Sequence, residues 1–232
     1  MFNKSELMVL YDRLFDAYGP QHWWPGDTPF EVMVGAVLTQ NTAWTNVEKA
    51  IANLKQAEKL ELLPMGRMRL QRLARLIRPA GYFNVKARRL KHLCRWLASN
   101  GGIKALSRRP TLELRESLLE VHGVGPETAD DILLYAFHRP VFVIDAYTRR
   151  LLQRLKLIRG NEAYETLRER IEAVLDADTS LYNEYHALIV RHAKEKCLQN
   201  GDCIHCKVEA PLKAGTRGEG LGAREKSKLT RP

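Results

Sequence analysis

One stretch of this chain, between residues 118 and 155, constrains the fold more than any other. It joins two helical patterns through a Gly-x-Gly turn, Gly123-Val124-Gly125, and opens a third helix about twenty residues later with a lone aspartate, Asp145. Apolar residues at helical spacing lead into the turn, and Pro126 suits the first position of the next helix. The stretch therefore predicts helix, tight turn and helix, followed by a helix that begins at a carboxylate.

The Gly-x-Gly turn predicts an anion site. Both glycines can adopt positive φ and admit a ligand close to the backbone, and the next helix presents free N–H groups at the positive end of its dipole. The predicted phosphate contacts are therefore Gly123, Val124, Gly125 and Thr128. The alternative is an ordinary helix connection closed by glycine, although such a cap needs one glycine and this turn has two.

Asp145 follows an apolar run, Val141 to Ile144, and precedes an amphipathic helical pattern. An aspartate at this junction is a favourable N-cap, and the helix dipole keeps its carboxylate ionised. An ionised carboxylate in a partly dry site also suits the stabilisation of an oxocarbenium cation, as in glycoside cleavage. The two interpretations are compatible. Arg149, one turn further on, either contacts a phosphate or solvates the helix.

Helical periodicity covers nearly the whole chain and predicts an all-α fold, because the only strand-like run, residues 141–144, is too short to build a sheet. A net charge of +10 over 232 residues fits a polyanion-binding protein. No apolar run reaches membrane-spanning length and no signal peptide opens the chain, so we expect a cytoplasmic protein with reduced cysteines. Residues 207–232 are predicted to form a disordered basic tail.

These motifs together resemble a known family. Residues 118–155 resemble the helix-hairpin-helix, Gly/Pro-rich loop and catalytic Asp signature of the endonuclease III superfamily of DNA glycosylases. Residues 29–42, PFEVMVGAVLTQNT, are similar to its early helix and Gln-bearing loop, and residues 78–87, RPAGYFNVKA, resemble its G-Y/F-x-x-K-A turn. The segment HWWP at residues 22–25, followed by LTQNT, is most similar to the bacterial 3-methyladenine DNA glycosylase III branch.

The resemblance implies a two-lobed helical DNA glycosylase fold with the active-site cleft between the lobes. Residues 25–140 would form a central helical domain that contains the hairpin. Residues 1–24 and 141–206 would form a second helical domain with a degenerate cysteine loop. The implied protein is a monomer that acts on damaged double-stranded DNA in base excision repair and has no membrane association.

The resemblance also implies the chemistry. Asp145 and Glu127 are the predicted catalytic residues. Bifunctional members of the superfamily carry a lysine where Glu127 stands, and a carboxylate cannot form the Schiff base that strand cleavage needs. The implied reaction is therefore monofunctional hydrolysis that leaves an abasic site, without AP lyase activity. Lys86 is the alternative amine, and Glu127 would also be favourable as an acidic residue in a first helical turn.

An aromatic cluster provides the predicted base pocket: Trp23, Trp24, Pro25 and Trp44. A flipped base is recognised by stacking and by its hydrogen-bonding edge, and aromatic faces attract a cationic base such as 3-methyladenine. Each tryptophan is alternatively a core residue. Gln40 lies where the family inserts a side chain into the gap left by the flipped base, and it could instead satisfy the backbone of its own loop.

Three cysteines near the C-terminus resemble the iron–sulfur loop of the superfamily, which is normally spaced C-x6-C-x2-C-x5-C. Here the spacing is Cys197-x5-Cys203-x2-Cys206, and Leu212 stands at the fourth position. A 4Fe–4S cluster, a zinc site and free cysteines all remain open for this loop.

A histidine, His192 or His205, would complete the zinc alternative as a fourth ligand. The remaining cysteine, Cys94, follows a helical pattern and is predicted to be an apolar core residue. No cofactor is required for the predicted reaction.

The sequence thus predicts a monofunctional glycosylase for alkylated purines. One alternative keeps the enzyme class and changes the lesion to mispaired thymine or uracil, or to an oxidised pyrimidine. Another is a non-catalytic helix-hairpin-helix protein that only binds DNA. Asp145 argues against the second alternative, because a carboxylate among phosphates would repel them.

Overall fold

The computed structural model describes residues 2–23, 26–197 and 208. These residues form twelve α-helices and no strand, so the all-α prediction is confirmed. A 3₁₀ turn spans Arg78–Ala80, and π-helical turns span Ile132–Ala136 and Ala193–Cys197. The α-helices are α1 (Lys4–Tyr18), α2 (Pro29–Thr39), α3 (Trp44–Gln56), α4 (Leu62–Arg67), α5 (Leu70–Leu76), α6 (Phe83–Ser99), α7 (Gly102–Leu106), α8 (Thr111–Leu119), α9 (Pro126–Asp131), α10 (Ala146–Arg154), α11 (Tyr164–Val174) and α12 (Thr179–His192).

Several helices begin where a side chain satisfies the first free amides. Asn3 and Glu6 form a reciprocal capping box at the start of α1. The Thr28 hydroxyl accepts a hydrogen bond from the Glu31 amide, just before a proline that opens α2. The Asp178 carboxylate caps α12 in the same way. Local sequence therefore sets these boundaries.

The spacing of apolar residues in the sequence did not indicate two helices, α4 and α7, which are six and five residues long. Such short helices present little more than one turn of pattern, which is too little to distinguish them from loops. The run Val141–Ile144 is buried but extended, and it pairs with no neighbouring strand in the described part of the chain. It leads directly into α10.

The centre of the fold is α2, in which every residue from Phe30 to Leu38 except Ala36 is buried. This helix packs against α3, α6 and the π-helical turn after α9. On the other side of the molecule α12 packs against α1 and α10. The division into lobes at residues 25 and 140 stays a prediction, and the packing brings α2, α9, α10 and α12 close enough to share one cavity.

Two further sequence predictions concern the C-terminal tail and membrane-spanning helices. The predicted basic tail, residues 207–232, lies outside the described residues apart from Val208, which is buried. Among the residues that are described, no helix is both long and apolar enough to cross a membrane.

A buried ion network joins the hairpin helices to α11. The Arg115 guanidinium donates to both carboxylate oxygens of Asp130, at 2.7 and 3.0 Å, and to Glu165 at 2.8 Å. Asp130 is fully buried, and Arg168 of α11 lies beside it with its Nε 3.9 Å from the carboxylate. Because the Arg115 and Asp130 charges are buried away from water, each must be paired with an opposite charge to offset its lost hydration.

We expect Asp130→Asn to lower the free energy of unfolding by about 3–5 kcal/mol, since it removes the buried carboxylate and leaves the buried Arg115 guanidinium paired only with the partly exposed Glu165. The same change at Asp176, whose carboxylate pairs with Lys4 while 81% exposed, should cost less than about 1 kcal/mol. Urea denaturation of the two variants measures both values. Equal effects would show that the Arg115 network does not hold the hairpin to α11.

Candidate active site

Hydrogen bonds tie three loops into one edge of the molecule. The Gln40 amide nitrogen donates to the Gly123 carbonyl at 3.0 Å and to the Thr128 hydroxyl at 2.9 Å. The Thr42 hydroxyl donates to the carbonyl of Ala80 at 2.6 Å. The hairpin, the loop after α2 and the loop before α6 therefore form one continuous surface, and Gln40 is already engaged with the hairpin.

The two glycines of the hairpin play different parts. Gly123 adopts a positive φ of 91°, and an added Cβ would collide with the Arg89 side chain, which packs over the turn and donates to the side-chain amide oxygen of Gln40. Gly125 has a φ of −96° and open space where a Cβ would stand. Positive φ is thus needed at the first glycine, whereas the second leaves the approach to the backbone free.

The other predicted phosphate contacts are partly engaged within the protein. The Val124 side chain is buried and its amide donates to the Val121 carbonyl at 2.9 Å. Thr128 is buried, with its hydroxyl accepting from Gln40. The Arg149 guanidinium, half-buried, donates to the Glu162 carbonyl at 2.8 Å. The amides of Gly123 and Gly125, in contrast, donate no backbone hydrogen bond within the described residues.

Behind this edge lies a cavity of about 490 Å³. Its walls combine four aromatic side chains, four carboxyl groups, an imidazole and a lysine amine, with small and apolar residues between them. The chemically active lining residues are Trp23, Trp44, Tyr135, Tyr147, Glu48, Glu127, Asp131, Asp145, His186 and Lys194.

Asp145 sits in this cavity at the start of α10. One carboxylate oxygen accepts from the Thr148 amide at 2.7 Å, as an N-cap, and the other lies 3.5 Å from Nε2 of His186. Burial opposes its charge, but the pairing with His186 and the Thr148 hydrogen bond outweigh burial and lower the pKa of the carboxyl. The carboxylate is therefore ionised at neutral pH, and it is both a cap and a cavity group.

His186 pairs with Asp145 from α12. Its Nδ1 lies 2.5 Å from the Tyr135 hydroxyl, and the ring stacks on Trp23 with centroids 6.1 Å apart. The 3.5 Å separation of Nε2 from Asp145 is an ion-pair distance and is too long for a close hydrogen bond. Burial lowers the pKa of the imidazole, but the negative charge of Asp145 raises it overall, which favours the imidazolium.

Two further carboxyl groups face the cavity from α9, four residues apart and hence on the same side of the helix. Glu127 is exposed at the rim, and the surrounding protein and the charge of Asp145 raise its pKa. Asp131 lies deeper, where burial raises its pKa to about 8, with Glu127 and Asp145 adding to the shift and His186 opposing it. Asp131 is therefore largely protonated at neutral pH, in contrast to Asp145.

The aromatic wall contains part of the predicted base pocket. Trp23 stacks on Tyr135 with ring centroids 6.2 Å apart, and the Lys194 amine lies 5.9 Å from the Trp23 ring centroid. Trp44 lines the opposite side and packs over Gly35, where a Cβ would come 3.6 Å from the indole. The structure thus brings Trp23 and Trp44 into one cavity. The predictions for Trp24 and Pro25 fall outside the described residues.

The alternative amine, Lys86, is enclosed by protein. Its ammonium donates to the carbonyls of Leu38 and Ala80 at 2.9 and 2.7 Å, and burial lowers its pKa to about 8. It holds the loops together and does not line the cavity. In the described part of the chain the lysine of this cavity is Lys194.

The cysteine loop is largely beyond the described residues. Cys203 and Cys206 lie outside them, and Cys197 ends the last π-helical turn. Three cysteines do not meet the four-thiolate requirement of the superfamily cluster, and the residues that are described contain no group arranged to hold a metal. His192, the nearer histidine, is buried with its Nδ1 2.9 Å from the Tyr18 hydroxyl. Cys94 is buried in α6, as its spacing predicts, and burial raises the pKa of its thiol to about 11.

The sequence analysis did not identify six of the chemically active residues that line the cavity: Glu48, Asp131, Tyr135, Tyr147, His186 and Lys194. His186 and Lys194 lie more than forty positions after Asp145, so no local pattern connects them with it. Tyr135 sits on a π-helical turn, which shifts its direction from the ordinary helical face. Asp131 was detectable, because its spacing of four from Glu127 puts both carboxyl groups on one face.

Residues 34–176 match the family model described as HhH-GPD superfamily base excision DNA repair protein. A protein of Methanocaldococcus jannaschii, provisionally named a DNA repair glycosylase, is 46% identical over 211 residues, which cover 89% of this chain and 96% of that protein. Endonuclease III of Thermotoga maritima is 28% identical, with 77% and 79% covered.

Solved structures give the same picture. The H. pylori 3-methyladenine DNA glycosylase bound to 1,N6-ethenoadenine superposes with a TM-score of 0.70 at 32% identity, over 84% of this chain and 99% of that one. A non-covalent complex of endonuclease III with DNA superposes with a TM-score of 0.75 at 22% identity, over 90% and 94%, and shows the shared fold.

Proposed function

Because the chain belongs to the HhH-GPD superfamily of base excision DNA repair proteins, and is a DNA glycosylase of that family, we propose that it hydrolyses the N-glycosidic bond of a flipped, alkylated purine without cutting the strand. The observation that carries the proposal is one ionised carboxylate, Asp145, inside an aromatic and acidic cavity whose rim adjoins the hairpin. The substrate would be damaged double-stranded DNA, with the hairpin amides of Gly123 and Gly125 on a phosphate.

Asp145 supplies the transition-state chemistry. As the base departs, the deoxyribose ring gains positive charge, and a fixed carboxylate in a partly dry cavity stabilises that cation. Its low pKa keeps the group charged, and its bond to the Thr148 amide fixes its orientation. Water then adds to the sugar carbon, which leaves an abasic site and the free base.

Base recognition is assigned to the aromatic wall. A purine entering the 490 Å³ cavity would meet Trp23, Trp44 and Tyr135, which offer flat faces for stacking. Alkylation at a ring nitrogen such as N3 of adenine gives the base a positive charge, which both the ring faces and the carboxylates around them attract. A charged base is also a good leaving group, so the reaction needs little acid assistance. The H. pylori enzyme, bound to a modified adenine, supports this substrate class.

Asp145 and Asp131 can take different roles because the pKa of one carboxyl is lowered and the pKa of the other is raised. Asp145 remains ionised, whereas Asp131 keeps its proton at neutral pH and can donate a hydrogen bond to the departing base. His186, charged beside Asp145, holds the carboxylate in place from α12. A protein that only bound DNA backbone would have no use for this separation.

A second candidate substrate is thymine or uracil mispaired with guanine. The observation that favours it is the pair of donors in the cavity, the Lys194 ammonium and the protonated Asp131 carboxyl, which suit the carbonyl oxygens of a neutral pyrimidine. These donors would also assist an uncharged leaving group. The two candidates differ in base charge and size, so a substrate panel separates them.

We expect matched duplexes carrying 3-methyladenine, 1,N6-ethenoadenine, uracil opposite guanine or thymine opposite guanine to be processed unequally, with the alkylated purines fastest. Single-turnover base release, measured by chromatography of the free base, provides the ranking. A preference for mispaired uracil or thymine would replace the first candidate by the second. Release from none of the four would contradict the proposed substrate class.

Asp145→Asn should lower base release by at least about 10²–10³-fold while DNA binding is kept, because it removes the charge that the transition state needs. Asparagine is also a good N-cap, so α10 should still begin at the same residue. Asp178→Asn is the matched control, since Asp178 caps α12 through the Ser180 and Leu181 amides. Similar activity of both variants would assign Asp145 to capping alone.

Borohydride reduction during turnover should trap no covalent protein–DNA adduct, and the product strand should break only after alkali, because Glu127 cannot form a Schiff base. Lys194 is the cavity amine that could contradict this expectation. The experiment therefore includes Lys194→Met, with the buried Lys86 left intact. An adduct that disappears in Lys194→Met would make Lys194 a nucleophile and would overturn the monofunctional assignment.

A further inference from the structure

The positive charge of this chain is concentrated in one segment. Residues 62–112 contain 13 Lys and Arg and no Asp or Glu, which leaves 24 of the 37 basic residues to balance all 27 acidic ones. The remainder of the chain is therefore slightly negative, and the net charge of +10 arises from this segment alone. It folds as α4, α5, α6 and α7 with their connecting turns, outside the cavity lining.

Seven arginines between residues 67 and 95 are exposed, and none of them forms an ion pair with a carboxylate in the residues that the structure describes. By contrast, several surface cations elsewhere form ion pairs with carboxylates, as Lys4, Lys55 and Arg191 show. Exposed like charges repel one another, so a cluster of arginines without counter-charges destabilises the fold. A bound polyanion would remove this repulsion. The seven are Arg67, Arg69, Arg72, Arg75, Arg78, Arg88 and Arg95.

The arginines line connected grooves. A groove between α4 and α6 of about 630 Å³ is bounded by Arg67, Arg88 and Arg95, and one along α4 and α5 of about 980 Å³ shares Arg67 with it. Arg75 joins the second groove to a third that ends at Phe83. An acidic residue, Glu61, lines only the second groove. We call this surface the arginine track.

The arginine track meets the hairpin edge at both ends. His92, in the first groove, contacts the His122 ring of the hairpin with centroids 5.0 Å apart. The third groove reaches Phe83, next to Tyr82, whose side chain is 71% exposed beside the loop that Thr42 holds. A backbone bound at the hairpin can therefore continue onto the track, where Glu61, in the second groove, is the acidic residue that lines the three grooves.

We propose that the arginine track binds the phosphate backbone of the duplex that flanks the lesion, as a second DNA contact separate from the cavity. The proposal rests on the proposed function for its choice of double-stranded DNA as the partner. Guanidinium groups in grooves suit phosphates, which they bind with two parallel hydrogen bonds. The axis of α6 alone, 17 residues, extends about 25 Å, the length of roughly seven base pairs.

The test compares two triple variants that remove the same number of positive charges. Arg67→Gln, Arg72→Gln and Arg88→Gln remove the centre of the track, and Lys156→Gln, Arg159→Gln and Arg170→Gln remove exposed cations from the α10–α11 region. Glutamine keeps helix propensity, and the three track arginines form no ion pair in the described residues that would be broken. Thermal unfolding of each variant checks that the fold is kept.

Binding of undamaged duplexes of about 10 and about 30 base pairs is titrated across a salt series. For the long duplex, the track variant should lower the slope of log K against log salt by about 2–3, near 0.9 for each phosphate that is no longer neutralised. The short duplex, held at the hairpin, should change less, and the control variant should keep the wild-type slope. Because no lesion is present, failure here leaves the proposed base release untouched, and the reverse also holds.

Three outcomes would overturn the proposal. An equal fall in slope for both triple variants would show that only net charge matters. Displacement of the long duplex by polyglutamate at equal charge, or stronger binding of single-stranded RNA of the same length, would assign the track to an acidic protein or to RNA. A fall confined to the track variant and to the long duplex supports the second DNA contact.

Discussion

The pairing of Asp145 with His186 is the interaction on which the candidate site depends. It places a charged carboxylate inside the protein, where burial alone would favour the neutral acid, and it joins α10 to α12 across the cavity. The imidazole is in turn held by the Tyr135 hydroxyl and by the Trp23 ring. One electrostatic pair therefore connects the Asp145 carboxylate, the aromatic wall and two helices. Removal of either charge would leave the other charge buried without its partner, which is unfavourable because the buried charge is dehydrated.

The features that local sequence could predict are those with local causes. Helical periodicity indicated most of the element order, and Asp145 was identifiable as a cap because its partner, the Thr148 amide, is three residues away. His186 could not be identified from the sequence, because its contact with Asp145 is created by the packing of α12. The two residues are too far apart in sequence for any local spacing to connect them. The two hairpin glycines looked equivalent in sequence, but only Gly123 has positive φ, and Arg89 from α6 occupies the space where a Cβ of residue 123 would stand.

The proposed loss of strand cleavage, with base release retained, depends on the side chain at residue 127. An amine at position 127 would sit beside Asp145, where Glu127 now adds negative charge and raises the pKa of Asp131. That change does more than remove a nucleophile. It adds negative charge at the cavity mouth, and this charge adds to the burial that raises the pKa of Asp131. Under the proposed function, the same side chain would therefore affect both the reaction type and the preference for cationic bases.

The close packing of Arg89 over Gly123 restricts how this chain can change over evolutionary time. A side chain at residue 123 would displace Arg89, and Arg89 in turn holds the Gln40 amide that is bound to the hairpin carbonyl. The residues at these three positions, which lie in separate parts of the sequence, therefore constrain one another. Homologues that replace the glycine should carry a shorter residue in place of the arginine and a different partner for the glutamine, so that the three sites vary together and not singly.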